Sequence, residues 1–163
     1  MDKLVDAVLL LGGNQGDRKK LLSEAVQLIS ERVGEVRLRS SLYETEPWGF
    51  EAEQKFINQA VVVATKLTAL EVLRRVLAIE KELGRVREGK GYSSRTMDID
   101  VMFYGSDTYE TSDLIVPHPR LHLRRFVLVP LCEIISDFVH PKFGKTLSEL
   151  LETCPDKGEV VRL

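Results

Sequence analysis

The spacing of apolar residues divides the first part of the chain into a regular series of predicted elements. Val5 to Leu11 is a short apolar run ending in Gly-Gly-Asn, typical of a buried strand that enters a tight turn. A helical period of apolar residues then follows Asp17, a predicted N-cap, and ends at Gly34. The alternation from Glu35 to Tyr43 predicts a half-exposed strand.

The same order of elements then recurs. Phe56 to Thr65 is rich in β-branched residues and apolar on both faces, with few polar exceptions, so we expect a central strand. A capping box at Thr68 to Glu71 begins a second amphipathic helix, which ends at Gly84. Ile99 to Tyr104 predicts a fourth strand. The order β-α-β-β-α-β indicates an α+β fold with a ferredoxin-like core.

The rest of the chain predicts an extension of this core. A hairpin at the sheet edge is expected near Asp107 to Ile115, and a helix from about Phe126 to Ser136. The length of 163 residues fits one domain, so a single domain over residues 1–163 is expected.

Composition narrows the function. The formal net charge of −2 and the pI near 6.0 argue against a general nucleic-acid binder or a membrane-surface protein. Cys132 and Cys154 are too few for a zinc site or a disulfide framework. The apolar run near the N-terminus is too short for a secretory signal or a membrane span. We therefore expect a cytoplasmic protein that binds neither nucleic acid nor membrane. We also expect small-molecule partners and a monomer or weak homodimer.

Two aspartates stand at the start of the fourth predicted strand. Because strand side chains alternate, Asp98 and Asp100 share a face. Two adjacent carboxylates repel each other, and a divalent cation bound between them would relieve that repulsion. Mg²⁺ commonly binds one or two carboxylates together with phosphates and waters. The alternative is an exposed strand end in which the two aspartates are either solvated or paired with Arg95, and the Asp-x-Asp pattern alone favours that alternative.

Two basic segments flank the aspartates and change this balance. Residues 85–95 contain three arginines, one lysine and a single acid, and residues 118–125 contain no acid. Arginine suits bidentate phosphate contacts, and Mg²⁺ bridges phosphate oxygens during phosphoryl transfer. A run of charges otherwise forms a solvated loop. The convergence of both segments on one strand end favours phosphoryl chemistry, although the sequence contains neither a P-loop nor a protein-kinase signature.

Several other residues allow two interpretations. Asn58 is polar within a doubly apolar strand, so its amide pairs either with backbone in a neighbouring loop or with a flat heterocyclic ligand. Phe56 and Phe126 are either core aromatics or stacking walls. Glu80 on the second helix needs no explanation if it is a solvated charge.

Ordered sequence blocks then point to a family. The segment GRVREGKGYSSRTMDIDVMFYG, preceded by AIEKEL and followed by VPHPRLHLRRFVLVPL, resembles the 6-hydroxymethyl-7,8-dihydropterin pyrophosphokinases of folate biosynthesis. LGGNQGD, YETEPWG and FINQAV are similar to further blocks of that family, in the same order. The resemblance covers nearly the whole chain. It implies transfer of the terminal diphosphate of ATP to the hydroxymethyl oxygen of the pterin, leaving AMP.

The resemblance also implies a role for each matching residue. The catalytic residues would be Arg85, Arg95, Asp98 and Asp100, of which the two aspartates would bind two Mg²⁺ ions and the two arginines the transferred phosphates. The other residues on the ATP side would be Glu80, Arg87, Tyr92, His118 and Arg124. The pterin would be bound by Thr45, Trp48, Phe56, Asn58 and Phe126, with its ring between the two phenylalanines and its edge against Asn58.

The chain departs from the family pattern at a few positions. Tyr92 stands where Trp is usual, Ser93 and Ser94 where a small residue and Pro are usual, and Pro119 where an aromatic residue is common. These departures bear on affinity and loop closure rather than on the reaction. Three other functions are weaker alternatives. The acidic pI and the paired aspartates argue against a ferredoxin-like RNA-binding module, and the intact set of Asp, Arg and His residues argues against a non-catalytic domain of the same fold. A metal-dependent phosphodiesterase would use the same carboxylates, and product analysis separates it from the transferase.

Overall fold

The computed structural model describes residues 3–46, 55–84 and 96–163. The strands are β1 Val5–Gly13, β2 Glu35–Arg39, β3 Tyr43–Thr45, β4 Phe56–Thr65, β5 Asp98–Tyr104, β6 Tyr109–Glu110, β7 Ile115–Val116 and β8 Val160–Arg162. The helices are α1 Arg18–Arg32, α2 Ala69–Glu82, α3 Arg125–Ile135 and α4 Leu147–Glu152, and a 3₁₀ turn covers Leu121–Leu123.

An antiparallel sheet of six strands organises the fold. Its order is β5-β1-β4-β3-β8, and β2 also pairs with β4, beside β3. The strand β4 is therefore central, as the sequence predicts. The order of the first four predicted strands and the two crossover helices is that of a ferredoxin-like fold. The α+β prediction is confirmed. β6 and β7 form a hairpin where one was predicted, but as a separate two-stranded sheet rather than as an edge of the main sheet.

Two hydrophobic cores lie on opposite faces of the sheet. Leu9 and Val61 belong to the core that α1 and α2 cover, whereas the adjacent residues Leu10 and Val62 belong to the core beneath α3 and α4. Because both faces are covered, β1 and β4 need apolar side chains at nearly every position. None of the helices in the described ranges is long and apolar enough to cross a bilayer.

The helix boundaries follow the signals in the sequence. The Asp17 carboxylate accepts a hydrogen bond from Lys20 N at 3.2 Å and caps α1. Thr68 and Glu71 form the predicted capping box of α2. Gly84 follows α2 with a φ of 87°, a left-handed conformation that glycine adopts without strain. A second capping box begins α4, and neither α4 nor β8 is among the elements predicted from the sequence.

The prediction of a single strand from Glu35 to Tyr43 is wrong, because the segment forms two strands, β2 and β3, separated by three residues without strand structure. The Ser40 hydroxyl accepts a hydrogen bond from Ala60 N at 2.9 Å. One residue later, Ser41 N donates to the Glu133 carboxylate of α3, also at 2.9 Å. Ser40 N still donates to the Ala60 carbonyl oxygen, but the Ser40 hydroxyl replaces a backbone carbonyl as the acceptor for Ala60 N. At the next position the Glu133 carboxylate replaces a strand partner, which interrupts the ladder.

A β-bulge in β5 shapes the neighbourhood of the aspartates. Val8 lies opposite Phe103 and Leu9 opposite Val101, so Met102 is an extra residue in the ladder. Met102 and Phe103 therefore both belong to the core beneath α3 and α4. The carbonyl oxygen of Met102 accepts a hydrogen bond from His118 N at 3.0 Å. The bulge thereby holds the segment that follows β7 against β5.

Candidate functional site

The strand register aligns the predicted metal and pterin residues across the sheet. Gly12 lies opposite both Asp98 and Asn58, and Asn58 lies opposite Tyr43. Side chains directly opposite one another point to the same face, here the face that carries α3. Two strand spacings separate Asp98 from Asn58, or roughly 10 Å. Asp100 shares this face, so a carboxylate pair and a buried amide border one surface.

Gly12 lies beneath the Asn58 side chain. A Cβ atom at position 12 would be 2.3 Å from Asn58 Oδ1, a distance that real contacts do not reach. The tight turn predicted at Gly-Gly-Asn is wrong, because β1 continues through Gly13. Glycine inside a strand often marks a close approach of another group, and this signal was available in the sequence.

Asn58 and Thr45 form the buried centre of the predicted pterin end. They are 4% and 7% exposed, and Asn58 Nδ2 donates to Thr45 Oγ1 at 3.1 Å. The observed partner is thus a side chain on the adjacent strand. Phe56 is half-buried and lies opposite Thr45, and Phe126 is half-buried in the first turn of α3. Trp48, the fifth predicted pterin residue, lies outside the described residues.

Glu133 on α3 is hydrogen-bonded to Tyr43 of β3 and to Ser41, two residues before that strand. Its carboxylate accepts hydrogen bonds from Tyr43 OH at 2.6 Å, from Ser41 N at 2.9 Å and from Ser41 Oγ at 3.1 Å. Burial, together with the neighbouring Glu133 carboxylate, raises the pKa of Tyr43 to about 12. Burial opposes ionisation of Glu133, but the hydrogen bonds from Tyr43 and Ser41 outweigh it and lower the pKa of Glu133. Sequence reasoning missed Glu133, since it is about 90 positions from its partners.

His118 lies on the side of the site that the sequence assigns to the nucleotide. Burial, together with the charges of Arg124 and Arg120, lowers the pKa of His118 to about 4. Its Nδ1 accepts a hydrogen bond from Arg120 N at 3.3 Å. At neutral pH the ring is therefore uncharged with its proton on Nε2, which makes Nε2 a hydrogen-bond donor.

The start of α3 joins the two ends of the site. The Arg124 guanidinium lies 5.8 Å from the centroid of the Phe126 ring, in a cation–π contact. Between them, Arg125 N donates to Asp156 Oδ2 at 3.0 Å, so a side chain from the C-terminal segment caps this helix. A residue predicted to bind phosphate and one predicted to bind pterin thus share one helix turn.

Glu80 is not a solvated helix charge. It is 2% exposed, on the buried face of α2, and its Oε2 accepts a hydrogen bond from Ile99 N at 2.6 Å. Ile99 lies between the two aspartates in sequence. The predicted contact of Glu80 with the nucleotide stays a prediction.

The carboxylate pair fits a divalent cation that substrate groups would also coordinate. Asp98 and Asp100 are half-buried on one face of β5. Within residues 3–46, 55–84 and 96–163, no group of three or more His, Cys, Asp or Glu side chains could hold a metal ion. Two carboxylates with phosphate and water ligands are a normal Mg²⁺ environment. The other residues predicted to bind ATP or its phosphates, which are Arg85, Arg87, Tyr92 and Arg95, lie outside the described residues.

These features define an α+β protein whose sheet carries an acidic pair and a buried amide on one face, beneath the basic first turn of a largely apolar helix. Residues 8–136 match the family model of 7,8-dihydro-6-hydroxymethylpterin-pyrophosphokinase (HPPK), and the chain belongs to this family. The family expected from the sequence blocks is therefore confirmed.

Curated relatives agree with this assignment. The 2-amino-4-hydroxy-6-hydroxymethyldihydropteridine pyrophosphokinase of Bacillus subtilis (strain 168) is 44% identical over 78% of this chain and 77% of its own length. The protein of the same name from Porphyromonas gingivalis (strain ATCC 33277) is 39% identical over 82% of this chain and 92% of its own.

Solved structures show the same fold at low sequence identity. An HPPK-DHPS structure in complex with substrates superposes with a TM-score of 0.75 at 17% identity, over 93% of this chain. A wild-type HPPK-DHPS of Plasmodium falciparum with pteroate gives 0.74 at 18% identity. The chain spans 43% and 42% of these longer chains.

Proposed function

We propose that the chain transfers diphosphate from ATP to the hydroxymethyl group of 6-hydroxymethyl-7,8-dihydropterin, giving AMP and the pterin diphosphate in tetrahydrofolate biosynthesis. Family membership and the names of the curated relatives support this reaction. The observation that carries it is the cross-strand row Asp98–Gly12–Asn58. Its length, roughly 10 Å, suits a bicyclic ring whose hydroxymethyl arm points at the aspartates.

The pterin end uses the buried amide and the aromatic residues. Asn58 and Thr45 recognise the polar edge of the ring through hydrogen bonds, and Phe56 and Phe126 stack on its faces. The Thr45 hydroxyl, which accepts from Asn58 Nδ2, fixes the orientation of that amide before the ligand arrives. Trp48 completes the pocket. A prearranged amide costs less entropy on binding than a rotating one.

The nucleotide end uses the basic side chains and the aspartates. His118 donates from Nε2 and Arg124 donates from its guanidinium to phosphate oxygens. Arg87 and Tyr92 contribute to ATP binding directly, whereas Glu80, which accepts a hydrogen bond from Ile99 N, contributes indirectly. Asp98 and Asp100 would hold two Mg²⁺ ions, which when bound neutralise charge on the triphosphate and lower the barrier to transfer.

The chain itself supplies position and charge. The bond between the hydroxymethyl oxygen and the β-phosphorus forms as the bond from that phosphorus to the α–β bridging oxygen breaks. AMP leaves, and the hydroxyl proton is released. The Arg85 and Arg95 guanidinium groups bind the transferred phosphates and stabilise charge on their oxygens. Holding the two reactants in line supplies much of the acceleration.

The same proposal covers the setting of the enzyme. Residues 1–163 act as a single pyrophosphokinase domain, a monomer or weak homodimer in the cytoplasm, with ATP and a reduced pterin as its partners. Neither nucleic acid nor membrane takes part.

Binding and product analysis test the proposal. Titration with a non-hydrolysable ATP analogue should give Mg²⁺-dependent heat, and bound nucleotide should create or tighten a site for 6-hydroxymethylpterin. With ATP and the dihydropterin, chromatography should show AMP and a diphosphorylated pterin in equal amounts. A phosphodiesterase would release hydrolysis products and no diphosphorylated acceptor, which would overturn the proposal.

Substitution of the aspartates sharpens this test. Asp98→Asn and Asp100→Asn should each lower kcat by about a hundredfold or more, since each removes charge that faces the transferred group. Asp113→Asn, at an exposed position between β6 and β7, is the matched control and should leave kcat unchanged. Full activity in both Asp98 and Asp100 variants would contradict the assignment of the metal site.

A further inference from the structure

The feature that carries a further inference is the buried contact between α2 and β5. Glu80 is the charged residue among the buried positions of α2, which are Ala69, Val72, Val76, Ile79 and Glu80. Glutamate on the core face of an amphipathic helix is costly unless its carboxylate has partners. Its Oε2 accepts from Ile99 N at 2.6 Å, within the range of a strong charge-assisted hydrogen bond.

The position of this amide explains its importance. In the described part of the sheet, β5 has β1 as its strand neighbour on one side and none on the other. The Ile99 N–H bonds to Glu80 and so belongs to the side away from β1. Residues 98 and 100 alternate with Ile99, and their backbone groups face β1. The short segment that carries the aspartates is therefore held from both edges.

We propose that Glu80 is a positioning residue, which fixes the Ile99 amide and thereby sets the spacing and direction of the Asp98 and Asp100 carboxylates toward a divalent cation. The inference rests on the proposed function of that carboxylate pair. Glu80 reaches the strand from the α2 face, whereas the aspartates point to the α3 face, so Glu80 acts through the backbone. Outer residues that orient metal ligands commonly change metal affinity by about ten- to a hundredfold when substituted.

Two conservative substitutions separate position from charge. Glu80→Gln keeps the length of the side chain and a carbonyl oxygen that can accept from Ile99 N, but removes the charge. Glu80→Asp keeps the charge but shortens the side chain by one methylene, so its carboxylate falls short of the amide. Glu82→Gln and Glu82→Asp are matched controls on the same helix, at an exposed residue paired with Arg32.

The readout is Mn²⁺ binding by electron paramagnetic resonance, at saturating α,β-methylene-ATP, beside binding of the same nucleotide without metal. Glu80→Asp should weaken Mn²⁺ binding about tenfold or more, and Glu80→Gln threefold or less. Metal-free nucleotide binding and both Glu82 variants should stay within twofold of the parent. Amide exchange should show faster exchange of the Ile99 N–H in Glu80→Asp than in Glu80→Gln, in proteins with parental circular dichroism.

The opposite results would overturn the inference. Mn²⁺ binding that is weakened more by Glu80→Gln than by Glu80→Asp would show that charge matters rather than reach. Loss of metal-free nucleotide binding in both variants would make Glu80 a direct nucleotide ligand, and parental Mn²⁺ binding in both would leave it no role at the aspartates. Failure of the proposed function looks different, because the unsubstituted protein would then form no pterin diphosphate.

Discussion

At the scale of single residues, the candidate site depends on the close approach of Asn58 to Gly12. The Asn58 amide occupies the space in which any other residue at position 12 would place its Cβ. Asn58 is also 4% exposed and bonded to Thr45, so it has little freedom to move aside. The glycine is therefore required by its neighbour rather than by backbone conformation.

Gly12→Ala should displace the Asn58 amide and weaken pterin binding about tenfold or more, with a loss of about 1–3 kcal/mol in unfolding free energy from overpacking. Nucleotide binding should change little. The control is a double-mutant cycle with Asn58→Ala, which removes the conflicting atoms. The destabilisation by Gly12→Ala should largely vanish in the Asn58→Ala background. Equal destabilisation in both backgrounds, measured by urea unfolding, would contradict the contact.

His140 gives a second prediction at this scale. It is 2% exposed, and its Nδ1 accepts from Lys142 N at 3.1 Å and from Phe143 N at 3.2 Å. Burial, followed by the charges of His122 and Lys142, lowers the pKa of His140 to about 4. In the unfolded chain the His140 imidazole therefore becomes protonated near pH 6.5, whereas in the folded protein it becomes protonated only near pH 4. Stability from this group is complete above pH 6.5 and falls as the pH drops toward 4.

His140→Asn tests this pH dependence, because asparagine can accept turn N–H groups but does not titrate. Between pH 6.5 and 5 the unfolding free energy of the parent should fall more steeply than that of the variant, by a slope equivalent to about one proton. His118, also with a pKa near 4, contributes equally to both proteins. Identical slopes in chemical denaturation would show that His140 is not neutral in the folded protein.

At the scale of elements, the hydrogen bonds between α3 and the β3 region determine how the predicted pterin-binding residues on the helix face those on the strand. Tyr43 OH and the Ser41 amide both donate to Glu133. Thr45 lies two residues beyond Tyr43 on β3, and Phe126 lies on the same helix as Glu133. The hydrogen bonds to Glu133 thus fix the distance between Phe126 on α3 and Thr45 on β3.

Tyr43→Phe should lower the unfolding free energy by about 1.5–3 kcal/mol, the usual effect of removing a hydrogen bond to a charged group. The KM for the pterin should rise more than the KM for ATP. Arg162→Gln is the control, since its guanidinium lies 3.9 Å from Glu133 and its side chain is 64% exposed, an arrangement worth little. A Tyr43→Phe effect no larger than that of Arg162→Gln would mean that the helix is positioned by packing alone.

The elements also show what a sequence can and cannot predict. Phe56–Thr65 and the capped starts of α1 and α2 follow from local patterns, and the structure agrees with them. The break at Ser40 depends on partners on β4 and α3, and β8 has three residues, too few for a detectable period. Site residues could be predicted by type and motif. Supporting contacts such as Glu133 to Tyr43 join distant positions and leave no local pattern.

At the scale of the whole molecule, the C-terminal segment reaches back to the site. Asp156 accepts from Arg125 N at 3.0 Å and from Gly158 N at 2.8 Å, and the chain then forms β8 against β3. The segment therefore contacts both the helix that carries Arg124 and Phe126 and the strand that carries Thr45. Residues far from the aspartates in sequence support both ends of the candidate site.

Asp156→Ala should cost about 1 kcal/mol of unfolding free energy as a lost helix cap. Because the first turn of α3 carries both Arg124 and Phe126, KM should rise for ATP and for the pterin together, unlike in Tyr43→Phe. Asp156→Asn retains an acceptor oxygen and should restore most of the affinity. Steady-state kinetics with each substrate varied in turn would distinguish this joint effect from a change confined to one substrate.

The bulge in β5 has a consequence for insertions and deletions. Removal of Met102 would leave Phe103 opposite Val8 and Val101 opposite Leu9, so the ladder would close without a gap and both aspartates would keep their face. Removal of Ile99 instead would place the two aspartates on opposite faces of the strand, with Asp98 turned toward α2. A chain one residue shorter at Met102 would nevertheless lose the carbonyl that holds His118. Gaps in this strand should therefore be rare during evolution, and any at Met102 should accompany changes in the segment around His118.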